Sequence, residues 1–85
     1  MDIRFKPKAI EEYNKFALKD KKTFKKLMKM ILEIRRNPYQ GIGKPEQLKH
    51  ELTGCWSRRI NSKDRLIYEI KENEIIIISC CGHYL

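Results

Sequence analysis

Four consecutive isoleucines at residues 75–78 constrain the fold of this chain more than any other feature. Successive side chains of a β-strand point to opposite faces of the sheet, so this strand is apolar on both faces. We therefore expect it to lie deep in a sheet. The chain continues into Cys80, Cys81 and Gly82 and then places His83 and Tyr84 close behind the strand. A buried strand would hold that pair on a rigid element, as a functional site requires.

The sequence before this strand predicts a short strand followed by two helices. Residues 2–5 alternate polar and apolar side chains, which is typical of a strand. Apolar residues at three- and four-residue spacing predict a helix from about residue 7 to residue 18 and a second one after Asp20, its N-cap. Pro38 ends the second helix, because proline cannot continue the hydrogen-bond ladder. Two antiparallel helices joined by a short turn are expected.

A run of strands follows the helices. Residues 56–60 and 65–70 both alternate, and turn-forming residues at 61–64 and 71–74 separate these strands from each other and from the isoleucine strand. Short connections make neighbouring strands antiparallel, and amphipathic helices must cover one face of the sheet. The sequence predicts one α+β domain over residues 1–85. In it, an N-terminal strand and two antiparallel helices pack on one face of a small, mainly antiparallel β-sheet, and the other face stays partly open.

The charge of the chain indicates a polyanionic partner. The net charge is +8, and residues 1–50 contain 14 basic and 6 acidic side chains, whereas residues 51–85 contain five of each. This excess favours RNA or DNA over membrane lipid, although an acidic protein would also satisfy it. The lysines of the second helix are also compatible with an ordinary solvated helix face.

Several classes of protein are excluded by pattern. No apolar run approaches the roughly 20 residues of a membrane span, and the amino terminus lacks the form of a signal peptide, so we expect a cytoplasmic protein without a membrane partner. The three cysteines, two of them adjacent, form no Cys-x-x-Cys pair, and we interpret them as small apolar fillers, with redox regulation as the alternative. The glycines and lysine at 41–44 lack P-loop spacing, and His50–Glu51 lacks the second histidine of a zinc protease. We expect neither a metal nor a cofactor.

An ionisable set remains once core and turn residues are removed. It comprises Glu46, Lys49, Arg58, Arg59, Arg65 and His83, with Tyr84 beside it. One carboxylate, one imidazole and several guanidinium groups suit metal-independent cleavage of RNA by its own 2′-hydroxyl, with Glu46 as base and His83 as acid. The arginines would bind phosphate and hold the charge of the phosphorane. Each residue taken singly also has an ordinary interpretation as a solvated charge, an ion-pair partner or a packing aromatic.

Four ordered blocks give the chain a family resemblance. They are Gly-Lys-Pro-Glu-Gln-Leu-Lys at 43–49, Gly-Cys-Trp-Ser-Arg-Arg-Ile at 54–60, Arg-Leu-Ile-Tyr at 65–68 and His-Tyr at 83–84. Together they resemble the YoeB/Txe toxins, members of the RelE superfamily of type II toxin–antitoxin systems, over nearly the whole chain. The resemblance implies an mRNA interferase that cuts mRNA in the ribosomal A site, leaves a 2′,3′-cyclic phosphate and a 5′-hydroxyl, and so inhibits translation.

The resemblance also implies roles for single residues. Glu46 would be the general base, His83 the general acid and Arg65 the group that stabilises the phosphorane. The RNA would be bound by Lys49, Arg59 and Tyr84, to which we add Arg58 from the ionisable set. The implied partners are mRNA, the ribosome and a cognate antitoxin, and homodimers occur in the family.

Two rival functions and three departures from the family pattern accompany this interpretation. The rivals are a non-catalytic RNA- or ribosome-binding inhibitor and a catalytically silent antitoxin partner that acts in transcriptional regulation. Asp64 stands where histidine is more usual, and pairing of its carboxylate with Arg65 would blunt the charge of that arginine. Leu85 extends past the usual His-Tyr ending, and the approach through Cys80, Cys81 and Gly82 predicts a flexible joint, because glycine is permissive. We further expect an acidic or amphipathic antitoxin segment to cover the arginines of the open sheet face, namely Arg58, Arg59 and Arg65.

Overall fold

The structure, a computed structural model, describes residues 1–82, which form a five-stranded sheet and two α-helices. In chain order the elements are β1 (Asp2–Phe5), α1 (Pro7–Lys19), α2 (Lys21–Arg36), β2 (Glu46–Gln47), a 3₁₀ helix (His50–Leu52), β3 (Cys55–Arg59), β4 (Arg65–Lys71) and β5 (Glu74–Ser79). The strands lie in the order β1-β5-β4-β3-β2. All neighbouring pairs are antiparallel except β1 with β5. The predicted α+β architecture is confirmed.

The helix boundaries follow from local capping. Asp20 is the single residue between α1 and α2, and its carboxylate accepts hydrogen bonds from the Thr23 amide (3.1 Å) and the Thr23 hydroxyl (2.7 Å). These two bonds lower the pKa of the Asp20 carboxyl. The predicted N-cap is therefore confirmed, and α2 ends at Arg36, immediately before Asn37 and the proline that follows it.

The isoleucine strand is buried as expected. β5 lies between β1 and β4, and Ile75, Ile76 and Ile77 are all buried. Ile75 and Ile77 belong to the main core between the sheet and the helices, whereas Ile78 packs on the opposite face. The main core consists of Ala9, Leu27, Met30, Ile31, Ile34, Ile60, Leu66, Tyr68, Ile75, Ile77 and Cys80.

The second face of the sheet is less open than the sequence indicates. A smaller cluster of Leu48, Cys55 and Ile67, with Leu52 and Ile78 against it, covers part of this face. Leu48 lies in the segment after β2. The Leu48 amide donates to the Cys55 carbonyl (2.9 Å). This segment therefore forms a shallow wall on the face that the helices leave uncovered.

The cysteines are all unpaired, and two of them serve as core residues. Cys55 and Cys80 are buried, which confirms their interpretation as apolar fillers. Cys81 is exposed, so the same interpretation is wrong for Cys81. Burial, and to a smaller degree the nearby Glu12 carboxylate, raises the pKa of the Cys80 thiol from 9.0 to about 12.

Because of this raised pKa, the free energy of unfolding is expected to fall as the pH rises from about 9 to about 12. Over that range the unfolded Cys80 thiol loses its proton while the folded one keeps it, and this single group contributes at most about 1.4 kcal/mol per pH unit. Urea unfolding at pH 8 and pH 10.5 measures the effect. A Cys80→Ala variant should show a shallower decline, and an unchanged decline would contradict this assignment.

Candidate functional site

Three of the predicted site residues share the sheet face opposite the helices. Glu46 on β2 pairs with Ser57 on β3, and Ser57 pairs with Ile67 on β4. Directly paired residues point to the same face, and so do residues two apart along one strand. Arg59 lies two residues from Ser57 and pairs directly with Arg65. The structure therefore brings Glu46, Arg59 and Arg65 together on one face of the sheet.

Arg59 and Arg65 form a pair of like charges on adjacent strands. Arg59 is exposed and Arg65 is half-buried. Like charges directly opposite each other in a sheet destabilise it, and a bound anion removes that cost. One terminal nitrogen of Arg65 donates to the backbone carbonyls of Asn61 (3.1 Å) and Asp64 (3.2 Å). Two guanidinium groups side by side offer paired donors that match the oxygens of a phosphate.

The carboxylate of Asp64 does not neutralise Arg65. The ion pairs among the described residues are Arg4 with Glu74 and Arg58 with Glu33. Asp64 contacts the Arg65 side chain through its backbone carbonyl, and its carboxylate instead accepts hydrogen bonds from Asn61 Nδ2 (3.0 Å) and the Gly82 amide (2.8 Å). The predicted ion pair between the Asp64 carboxylate and Arg65 is therefore absent from residues 1–82.

Glu46 and Lys49 lie along one cavity. This cavity, of about 510 Å³, is lined by the continuous segment Glu46, Gln47, Leu48, Lys49, His50, Glu51 and Leu52. Glu46 and Lys49 are both exposed there, above the buried Leu48. A carboxylate and an ammonium group at the wall of an open cavity leave room for a polar ligand such as a nucleotide.

The loop that leads to Glu46 is fixed to β3 by a glycine. The Gly43 carbonyl accepts a hydrogen bond from the Arg59 amide (2.6 Å). Gly43 has a φ of +82°, and a Cβ atom there would lie 2.8 Å from the Arg59 carbonyl oxygen. Only glycine meets both demands without strain, which accounts for its place in this loop.

The predicted surface position of Arg58 is wrong. Arg58 is completely buried. Its side chain points to the face opposite those of Ser57 and Arg59, which is the face that Trp56 shares and that the helices cover. Its guanidinium bonds to Tyr68 Oη (3.1 Å) and Glu33 Oε1 (3.2 Å). Its remaining hydrogen bonds go to backbone carbonyls of the loop after α2, those of Asn37, Gln40 and Ile42. Arg58 therefore anchors that loop and is not available to RNA or to an antitoxin.

His83 and Tyr84 lie outside the described residues. The residue that precedes them, Gly82, is held at both of its backbone polar groups: its amide donates to Asp64 Oδ1 (2.8 Å), and its carbonyl accepts from the Arg65 amide (3.0 Å). The described chain thus ends at Gly82, which is hydrogen-bonded to the backbone of Arg65. The sequence does not predict the hydrogen bond between Asp64 and Gly82, because these two residues are 18 positions apart.

Comparison with known proteins identifies the family. A sequence profile described as YoeB-like toxin of bacterial type II toxin–antitoxin system matches residues 5–84. A relative named toxin YoeB from Synechocystis sp. is 48% identical over 84 residues, which cover 99% of this chain and 98% of the relative. The chain belongs to the YoeB toxin family. The resemblance stated from the four sequence blocks is thereby confirmed.

Solved structures of YoeB proteins share this fold. The YoeB–YefM toxin–antitoxin heterotetramer from Staphylococcus aureus matches with a TM-score of 0.89 and 48% identity, covering 99% of this chain and 98% of the other. A YoeB dimer from the same organism matches with a TM-score of 0.90, the same identity and the same coverage. The chain therefore has the RelE-like fold of this toxin–antitoxin family.

Two further observations describe the rest of the molecule. Within residues 1–82, no helix is both long enough and apolar enough to cross a membrane. The same part of the chain contains no group of three histidine, cysteine, aspartate or glutamate side chains placed to hold a metal ion. Of the predicted site residues within residues 1–82, Glu46, Lys49, Arg59 and Arg65 are not buried, and these four form the candidate site.

Proposed function

We propose that this YoeB toxin is a ribosome-dependent endoribonuclease that cuts mRNA in the A site without a metal and so inhibits translation. The observation that carries the proposal is the common face of Glu46, Arg59 and Arg65, with Gly82 hydrogen-bonded to Arg65 immediately before His83. The proposed base and the two arginines proposed to bind phosphate therefore share one face, and the residue before the proposed acid is hydrogen-bonded to the backbone of Arg65. That combination serves cleavage of RNA by its own 2′-hydroxyl.

In the proposed reaction, Glu46 accepts the proton of the 2′-hydroxyl as that oxygen attacks the adjacent phosphorus. The bond from phosphorus to the 5′-oxygen breaks, and His83 donates a proton to this leaving oxygen. Arg65 holds the extra negative charge of the phosphorane through its planar, fixed donors. Lys49, Arg59 and Tyr84 bind and orient the RNA. The products are a 2′,3′-cyclic phosphate and a 5′-hydroxyl, and all groups involved are side chains of this protein or atoms of the RNA.

The proposed partners follow from the charge and from the relatives. A cytoplasmic location would bring the toxin to mRNA and the ribosome. The Staphylococcus aureus relatives form a YoeB–YefM complex and a YoeB dimer, and we extend both the antitoxin partnership and homodimer formation to this chain. An acidic antitoxin segment would cover Arg59 and Arg65, the surface arginines of the candidate site. Arg58 is excluded from that contact by its burial.

Primer extension on an mRNA in a translating extract tests the proposal. Addition of the toxin should produce new 5′ ends within the A-site codon, and Glu46→Gln and His83→Gln should each remove these ends while Glu11→Gln, an exposed carboxylate variant on α1, retains them. Absence of A-site cuts with the unaltered toxin would contradict the proposal. Inhibition of translation that survives both substitutions would identify a non-catalytic ribosome-binding inhibitor instead. Antitoxin binding without any effect on translation would indicate a purely regulatory partner.

A further inference from the structure

Two carboxylates hold the backbone that follows β5. The strand ends at Ser79, and residues 80–82 no longer form part of the sheet. The Cys80 amide donates to Glu12 Oε1 (2.8 Å), and the Gly82 amide donates to Asp64 Oδ1 (2.8 Å). Side-chain acceptors from α1 and from the β3–β4 turn thus replace the ladder partners that this segment lacks. Hydrogen bonds of amides to carboxylates are stronger than those between neutral groups.

Asp64 is itself held rigidly. It is buried, with 4% of its surface exposed, and its second carboxylate oxygen accepts a hydrogen bond from Asn61 Nδ2 (3.0 Å). Its amide donates to Asn61 Oδ1 (2.8 Å), and its carbonyl accepts from the Ile60 amide (3.0 Å). Asp64 is therefore bonded to the turn between β3 and β4 through its amide, its carbonyl and its carboxylate, and the carboxylate also accepts from the Gly82 amide.

Gly82 is the position where such a restraint matters most. Its φ is +76°, a conformation that glycine adopts readily, and the adjacent Arg65 amide binds its carbonyl (3.0 Å). Without the Asp64 bond, the backbone at this permissive residue would sample other conformations. A general acid must come within about 2.6–3.2 Å of the oxygen that it protonates, and a misplacement of about 1 Å can cost about 10²-fold in rate.

We propose that Asp64 is a positioning residue for the cleavage reaction. By binding the Gly82 amide it fixes the segment that carries His83 relative to Arg65, so that the acid and the phosphorane-binding arginine are aligned on the same phosphate. This role rests on the proposed nuclease function.

Single-turnover cleavage of ribosome-bound mRNA by Asp64→Ala tests the inference. We expect the cleavage rate constant to fall about 10²-fold while the toxin concentration that gives half-maximal rate is unchanged. The diagnostic substrate carries sulfur in place of the 5′-bridging oxygen at the scissile bond, because a thiolate leaves without protonation. Asp64→Ala and His83→Gln should both cut this substrate at close to the wild-type rate, since both variants impair protonation of the leaving group.

A paired exchange of side chains provides the matched control. In the Asp64→Asn variant, the side-chain oxygen can still accept from the Gly82 amide. The side-chain NH₂ then faces Asn61 Nδ2, so two hydrogen-bond donors oppose each other and the cleavage rate should fall. Adding Asn61→Asp turns that contact into a donor–acceptor pair again, and the double variant should recover most of the cleavage rate. Urea unfolding of each variant establishes that folded protein is compared, and the double variant tests the inference even where Asp64→Ala does not fold.

The outcomes separate this inference from the proposed function. If His83→Gln abolishes cleavage of normal mRNA and Asp64→Ala does not slow it, the inference is wrong and the nuclease proposal stands. If Asp64→Ala slows cleavage of the normal and the sulfur-containing substrate equally, Asp64 has a general structural role and the inference is also wrong. If neither Glu46→Gln nor His83→Gln affects cleavage, the proposed function itself fails.

Discussion

Replacing Glu46 by glutamine is expected to slow the chemical step of mRNA cleavage by about 10²–10⁴-fold. Glutamine keeps the size of the side chain and its place on the cavity wall, but it cannot accept the proton of the 2′-hydroxyl. Glu46 is exposed at the start of β2, so the substitution should leave the fold intact. Single-turnover cleavage of mRNA on programmed ribosomes measures the rate constant of this step.

The controls for this experiment separate chemistry from binding. The Glu11→Gln variant on α1 should cut at the wild-type rate, because that carboxylate lies on a helix outside the candidate site. Co-sedimentation of the Glu46→Gln toxin with ribosomes should equal that of the unaltered protein. A rate within a factor of three of wild type would show that Glu46 is not the base, whereas weaker ribosome binding with an unchanged rate would make it a binding residue.

Replacing Arg58 by methionine is expected to lower the free energy of unfolding by about 3–5 kcal/mol. The substitution leaves the Glu33 carboxylate without its buried partner and removes hydrogen bonds from the carbonyls of the loop after α2. A loss of this size is a large part of the roughly 5–15 kcal/mol that stabilises a typical domain. Urea unfolding followed by circular dichroism gives the value directly.

The neighbouring arginine supplies the matched control for stability. Arg59→Met changes the same chemical group one position along β3, where the side chain is exposed. Its free energy of unfolding should stay within about 0.5 kcal/mol of wild type. If Arg58→Met were as stable as Arg59→Met, the buried hydrogen bonds of Arg58 would not stabilise the loop that leads to Glu46.

Alternation and helical spacing predict most of the fold. The β3 and β4 strands, the Asp20 cap and the buried isoleucine strand all depend on residues close together in sequence. The shared face of Arg59 and Arg65 is equally local, because it requires only two alternating strands and a tight turn. These features could therefore be predicted without knowledge of long-range contacts.

Arg58 shows where local patterns fail. The alternation places it on the same face as Trp56 and Ile60, but charged side chains are rarely buried, and grouping it with the RNA-binding arginines followed that general rule. Its burial is possible because its guanidinium finds acceptors far away in sequence. These are the Glu33 carboxylate, 25 residues earlier, and backbone carbonyls of the loop after α2. No spacing in the sequence indicates that convergence.

Asp64 illustrates the same limit at the candidate site. Its neighbour Arg65 is the obvious partner in sequence, yet the carboxylate binds an amide 18 residues away. The bond arises because the segment after β5 returns beside the β3–β4 turn, a consequence of the antiparallel β4–β5 pairing and its bulge at Ile67 and Tyr68. The sequence supplied candidates for the site residues, whereas the hydrogen bond between Asp64 and the segment after β5 required the structure.

The most direct test of the central claim is whether the mRNA supplies its own nucleophile. An mRNA with a single 2′-deoxy nucleotide, immediately before the scissile phosphate of the A-site codon, removes that nucleophile and leaves the rest of the substrate unchanged. The account predicts no cut at this bond, and 2′,3′-cyclic phosphate and 5′-hydroxyl ends on the unmodified mRNA. Cleavage of the deoxy substrate at the unmodified rate, or ends bearing a 5′-phosphate, would contradict it.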